Sequence, residues 1–283
     1  MVNRRSSVEA VARTDHETGR FGRVSRSPLG WMLVGIVGIV GVSALTSGGP
    51  PVLAVVGAVA AVAVYWAVMR YGAGRSMPEI APRRAVSHAV IGTVLGVVMI
   101  AASVLMVITE FSFAPASGDV TAIVASMVAI QLGAAVTEEL VFRGLAFQAL
   151  ERLWGSWMAL AITAALFGLL HLANPSATVW SSFAIAVEAG VLLGAAFLWR
   201  RNLWLVVGLH FAWNTCVSLL GIPVSGHEVA GVLTTHPTGP DLLTGGEFGI
   251  EASIAPIIVS LLLATPMLIV ARRRGNLVTR RRR

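Results

Sequence analysis

The chain has 283 residues, 56% of them hydrophobic and only 12% charged, with a mean hydropathy of +0.79, which is far more apolar than a soluble domain tolerates on its surface. Its formal charge of +7 raises the question of nucleic acid, but every basic residue is arginine, clustered at Arg4 to Arg26, Arg70 to Arg84, Arg152, Arg200 with Arg201, and Arg272 to Arg283. Arginine confined to alternate loops marks the cytoplasmic side of a membrane protein and contact with anionic lipid headgroups, so membrane lipid is the expected partner and nucleic acid is not.

In chain order, the polar, arginine-bearing segment 1–28 is read as a cytoplasmic N-terminal segment, and the apolar run after it as a retained signal anchor, because it is longer than a signal-peptide core. Apolar runs then recur at about 29–46, 51–69, 88–109, 122–150, 156–174, 178–199, 203–220 and 252–271. Each is near the ~20 residues that cross a ~30 Å hydrocarbon core. The expected fold is therefore all-α, a polytopic membrane protein built as a bundle of about eight transmembrane helices. Residues 29–121 hold helices 1–3, 122–220 hold helices 4–7, 221–251 form an external loop, and 252–283 comprise the last helix and a basic cytoplasmic tail. The outward loops 47–50, 110–121, 175–177 and 221–251 contain Glu110, Asp119, Glu228, Asp241, Glu247 and Glu251 and not one arginine. An even span count puts both arginine-rich termini in the cytoplasm, and the two inferences support each other.

Loop 221–251, rich in Gly, Thr and Pro, reads as a flexible excursion with His227 and His236 exposed to solvent. The single cysteine, Cys216, excludes an intramolecular disulfide and reads as a small apolar side chain. The absence of lysine, with heavy use of Ala, Val, Gly and Arg, points to a GC-rich bacterial genome, and hence to a bacterial cell membrane.

The chemistry is concentrated in helices 4, 5 and 7. The stretch TEELVFRG places Glu138, Glu139 and Arg143 in a membrane span, where an ionised group costs several kcal/mol unless it is partnered or faces water. Glu139 and Arg143 stand at i and i+4 and can pair on one helix face, whereas Glu138 lies about 100° away and is left available. In FGLLH, Phe167 and His171 are one turn apart; in HFAWN, His210 and Asn214 are. At about 1.5 Å per residue these groups lie roughly 10–25 Å from the cytoplasmic ends of their helices. Each alone has a plain reading: a structural ion pair, an interhelical hydrogen bond, helix glue. Together, a free carboxylate and two imidazoles form a set able to activate water, with or without a metal.

EELVFR, FGLLH and HFAWN, in that order, resemble the EExxxR, FxxxH and HxxxN motifs of the CPBP intramembrane proteases, also called the Abi or CAAX-protease family. The resemblance covers roughly residues 122–220, which it implies are a protease core. It implies that Glu138 with His171 activates the attacking water, and that His210 and Asn214 stabilise the oxyanion or His210 joins His171 on a metal. Glu139 and Arg143 would orient the site. The implied cofactor is either none or a divalent metal such as zinc held by His171 and His210. The rival signatures HExxH, GxGD and GxSG are not present.

The expected activity is an intramembrane endopeptidase that hydrolyses a peptide bond of a membrane-associated protein or peptide, near the cytoplasmic side or within the bilayer, by water activated through glutamate and histidine. A bacterial owner favours a leader-bearing precursor or a regulatory factor over a prenylated protein as substrate. Glu188, in the middle of the sixth span, is outside the motifs. It reads either as a protonated or hydrogen-bonded glutamate facing the bundle or as an additional acid of the site. It also sustains the alternative function, a non-enzymatic membrane scaffold or proton-linked transporter using the same buried polar groups.

Overall fold

The structure, a computed structural model, describes residues 27–279. The expected N-terminal segment 1–28, except its last two residues, and the last four residues of the basic tail lie outside the described residues. Of the described residues, 76% are helical, and all eight expected spans are helices, so the all-α reading holds. They are α1 (Pro28–Thr46), α2 (Val52–Ala67, continued by a π-turn Val68–Gly72), α3 (Ala85–Val107), α4 (Val120–Glu139) continued through a π-turn Leu140–Ala146 into α5 (Phe147–Trp154), α6 (Ser156–His171), α7 (Val179–Ile185) continued through a π-turn Ala186–Val191 into α8 (Leu192–Arg200), α9 (Leu203–Leu219) and, after a short α10 (Asp241–Thr244), α11 (Ile254–Arg273).

Among the described residues, six of these rods are long and apolar enough to cross a membrane. The other two, α6 and α9, have 16 and 17 residues. At 1.5 Å per residue they reach about 24–26 Å, short of a ~30 Å core. Both carry site residues, and their shortness leaves room at one end of the bundle for a cavity and a folded loop.

The polar residues between spans determine where the helices start. Asp119 accepts from the amides of Thr121 and Ala122 at the head of α4, Thr178 and Ser181 form a reciprocal capping box on α7, and Asn202 accepts from Leu205 N at the head of α9. Such caps satisfy amides that would otherwise have no partner at membrane depth.

Small residues let the helices meet backbone to backbone. A Cβ on Gly92 or Gly96 of α3 would overlap the carbonyls of Leu205 or Leu209 on α9, and one on Gly208 of α9 would overlap that of Ala89. Gly168 of α6 meets Ser182, and Gly190 meets Ala164 of α6, in the same manner. Gly133 lies against Ala54 and Gly144 against the Tyr65 ring. The outward positions, among them Leu33, Val37, Leu45, Val59, Val86 and Leu105, are exposed and apolar, as lipid contact requires.

The arginine-rich end is tied by two polar clusters. Glu79 accepts from Arg75 at 2.6 and 3.1 Å and from the Tyr65 hydroxyl at 2.6 Å, and Gln148 joins Arg75 to the Gly144 carbonyl. Burial pushes the Glu79 carboxyl up, but the hydrogen bonds and charge of Arg75 outweigh it and leave the group below its ordinary value. This contribution to stability is therefore present above the ordinary carboxylate range and lost as pH falls through the depressed value. In the second cluster Arg201 grips Glu151 at 2.6 and 2.7 Å and also donates to the Asn276 carbonyl, tethering the segment after α11.

At the opposite end, loop 221–251 is not the flexible excursion expected from its composition. It contributes β2 (Leu233–Pro237), which pairs antiparallel with β1 (Phe111–Pro115), and it buries Ile222, Val224, Phe248 and Ile250. Its glycines supply the turns: Gly221, Gly226, Gly245, Gly246 and Gly249 all have positive φ. His227 and His236 are exposed, as expected. The pairing of β1 with β2 places loops 110–121 and 221–251 on one end of the bundle, as the charge pattern requires. Cys216 is half-buried and lines an apolar groove with Val97 and Leu219.

Substituting Gly92 by Val should abolish recovery of monodisperse protein in detergent, because the α9 backbone would have to move away. Gly41→Ala, at a position with nothing within 4 Å, should be recovered at the parent level. Equal recovery of the two variants would refute the close contact of α3 with α9.

Candidate active site

The π-turn at Leu140–Ala146 follows directly after the two glutamates. Glu139 is 0% exposed, and its Oε1 accepts from Arg143 Nη1 at 2.8 Å and from His210 Nδ1 at 2.8 Å. The ion pair expected from the i, i+4 spacing is thus present, and it also holds a histidine from α9. Arg143 is 1% exposed, and its Nη2 donates to the carbonyls of Ala189 and Gly190 at 3.1 Å each. Those carbonyls belong to the second π-turn, where the backbone ladder is disturbed and oxygens are free to accept.

A carboxylate only accepts, so His210 Nδ1 carries the proton and Nε2 is the free nitrogen. That Nε2 stands 3.9 Å from Glu138 Oε2. The Glu138 side chain is 33% exposed where that of Glu139 is fully covered, so the two adjacent carboxylates have the different environments that helix geometry implied. His171 donates from Nδ1 to the Phe167 carbonyl at 2.6 Å, since a carbonyl too can only accept. Its Nε2 is likewise left free. Phe167 sits under the site. Its ring lies 5.0 Å from the Arg143 guanidinium carbon and 4.7 and 6.3 Å from the His171 and His210 rings. An aromatic face against the guanidinium favours the cation and excludes water from the ion pair.

Asn214 Nδ2 donates to Gln131 Oε1 at 3.3 Å, Gln131 Nε2 donates to Ser218 Oγ at 2.9 Å, and Ser218 returns a bond to the Asn214 carbonyl at 2.8 Å. Gln131 was missed by the motifs, although it stands two turns before Glu138 on the same face of α4. The ring of bonds fixes the Asn214 amide and leaves its second N–H unused.

Two cavities meet here. Glu138, His171 and Asn214 face an outer one of about 590 Å³ that reaches Met127, Ile130 and the loop residues Val224 to Ala230. The same three, with His210, wall an inner pocket that also takes in Glu188, Ser225 and Glu251. Glu251 accepts from Trp213 Nε1 at 3.1 Å and from the amide and hydroxyl of Ser225, so the loop is bonded to the floor of the site. The outer cavity extends toward the arginine-free end of the bundle. The short helices α6 and α9 end beneath that cavity.

Among the described residues, no three His, Cys, Asp or Glu side chains are grouped to hold an ion. The Nδ1 atoms of His171 and His210 are both engaged, one by a carbonyl and one by Glu139.

The model of the type II CAAX prenyl endopeptidase Rce1-like family matches residues 120–216. The matched segment runs from the start of α4 through most of α9 and carries all three motifs. That segment is similar to the CPBP, or CAAX-protease, family, and the match supports a membrane protease. No curated protein and no solved structure matches the chain.

Glu139→Gln should lower the thermal midpoint in detergent markedly, since losing the carboxylate strands Arg143 and loosens His210. Breaking a buried pair in this way costs about 3–5 kcal/mol. Glu138→Gln, on a partly exposed side chain, should leave the midpoint within about 1 kcal/mol of the parent. Matching midpoints for the two variants would overturn the distinction between these glutamates.

Proposed function

We propose that the chain is an intramembrane endopeptidase that hydrolyses a peptide bond of a membrane-associated protein or peptide with water activated at Glu138. The observation that carries this reading is the convergence of four motif side chains from three helices, Glu138, His171, His210 and Asn214, on one inner pocket. Glu138, the least covered carboxylate of the group, takes a proton from water while His171 Nε2 holds and orients that water. The water oxygen forms a bond to the peptide carbonyl carbon. The second N–H of Asn214 faces the resulting oxyanion, with Gln131 keeping the amide in place. His210 Nε2, 3.9 Å from Glu138 Oε2, takes the proton on and gives it to the amine nitrogen as the C–N bond breaks. Glu139 at Nδ1 stabilises the imidazolium formed in that transfer, as a buried carboxylate behind a catalytic histidine does.

No step in this scheme needs a metal. A strong chelator should leave cleavage unchanged, while Glu138→Gln should lower it at least about 1000-fold with folded yield intact. Stoichiometric zinc lost together with activity in His171→Ala and His210→Ala would overturn the metal-free scheme.

With the arginine-rich end in the cytoplasm, the outer cavity faces the other side of the membrane. The substrate segment it admits is then an outward-facing part of a membrane-bound or leader-bearing peptide. In a chain carrying Cys216→Ser, a cysteine placed at Thr238 should react with a membrane-impermeant maleimide in intact cells. Reaction only after permeabilisation would reverse this orientation.

A further inference from the structure

We propose that Glu188 anchors a store of buried water behind the catalytic groups, and that the water activated by Glu138 is drawn from it. This deepens the proteolytic reading and rests on Glu138 as the base. Glu188 lies in the π-turn of α7–α8 and is 1% exposed. Its Oε1 has no hydrogen-bond partner among the described residues. It lines the inner pocket, which has a volume of about 30 Å³. A single water needs about 10–15 Å³ of such space together with two to four polar partners, so the pocket has room for about two.

The partners are present: Glu188, Glu251, Glu138, His171, His210 and Asn214 all line this one pocket. A buried carboxylate without a donor is costly unless water supplies one. The pocket is too small for a peptide side chain such as lysine, and Glu251 is already engaged by Trp213 and Ser225. Water is the ligand whose size and donor capacity fit both Glu188 and the space. Catalysis supplies the reason for holding it there. A peptide filling the outer cavity would shut off bulk water, and a store reached from behind Glu138 would still feed the attack. Glu188 is in this sense a positioning residue for water.

Hydroxyl-radical footprinting of the full chain in detergent tests the store without any substrate. Met99 is 1% exposed and lines the pocket, whereas Met69 is 0% exposed and does not. Met99 should oxidise at least about fivefold faster than Met69, as radicals are generated only where water is held. Glu188→Gln, which keeps hydrogen-bonding capacity, should preserve that excess, and Glu188→Leu should bring Met99 down to the Met69 rate. In a cleavage assay, Glu188→Leu should lower kcat about tenfold with KM unchanged, and Glu188→Gln should restore most of it. Equal oxidation of Met99 and Met69 in the parent chain overturns the water store, and that comparison stands even if Glu188→Leu does not fold. Cleavage without enhanced Met99 oxidation removes the store and leaves Glu138 as the base. Enhanced oxidation lost in Glu188→Leu, in a protein that cleaves nothing, supports the store and removes the proteolytic reading.

Discussion

The site depends on one carboxylate oxygen. Glu139 Oε1 receives both Arg143 and His210, and through these two donors it joins α4, its π-turn and α9. Arg143 carries the connection on to the carbonyls of Ala189 and Gly190. A charge buried to this degree is tolerable only with its partners in place. The same bonds therefore oppose any sliding of the three segments, and they fix which nitrogen of His210 is free. Orientation of the His210 imidazole and assembly of the bundle come from one interaction.

The two π-turns are complementary in this arrangement. The first, at Leu140–Ala146, carries Arg143 itself; the second, at Ala186–Val191, supplies the carbonyls that receive it and also carries Glu188. In a regular helix those oxygens would be engaged along the chain. Irregular backbone at membrane depth survives only where it is buried in protein or lines a wet cavity. Both conditions are met here, by Phe142 and Phe167 packed edge to face on one side and by the inner pocket on the other.

Much of this was legible in the chain. Hydropathy locates the eight helices because contact with lipid imposes one composition on every outward face. The i, i+4 spacing of Glu139 and Arg143 predicts their bond because helix geometry alone brings them together. The order of EELVFR, FGLLH and HFAWN points to the same family as the model that matches residues 120–216. What could not be read there depends on distant partners. Gln131 bonds Asn214 across 83 residues, and Ser225 and Glu251 reach the site from a loop whose composition reads as mobile. The π-turns have no periodic signature over so few residues. The Tyr65, Arg75, Glu79 and Gln148 cluster was invisible for the same reason, since each member taken alone resembles an interfacial residue.

The folded loop resolves a conflict inherent in proteolysis within a membrane. The reaction needs water and polar groups, while the surrounding lipid penalises both. Helices α6 and α9 stop short, which opens space above His171 and Asn214. The loop then returns into that space, bonded through Glu251 to Trp213 and Ser225. Polar backbone fills the depth that longer helices would have occupied, so the cavity is walled by protein and not by acyl chains. The cost of placing carboxylates at this depth is met by neighbours drawn from α4, α6, α9 and the loop together. For that reason the external loop, though it lies outside the matched segment 120–216, is structurally part of the site.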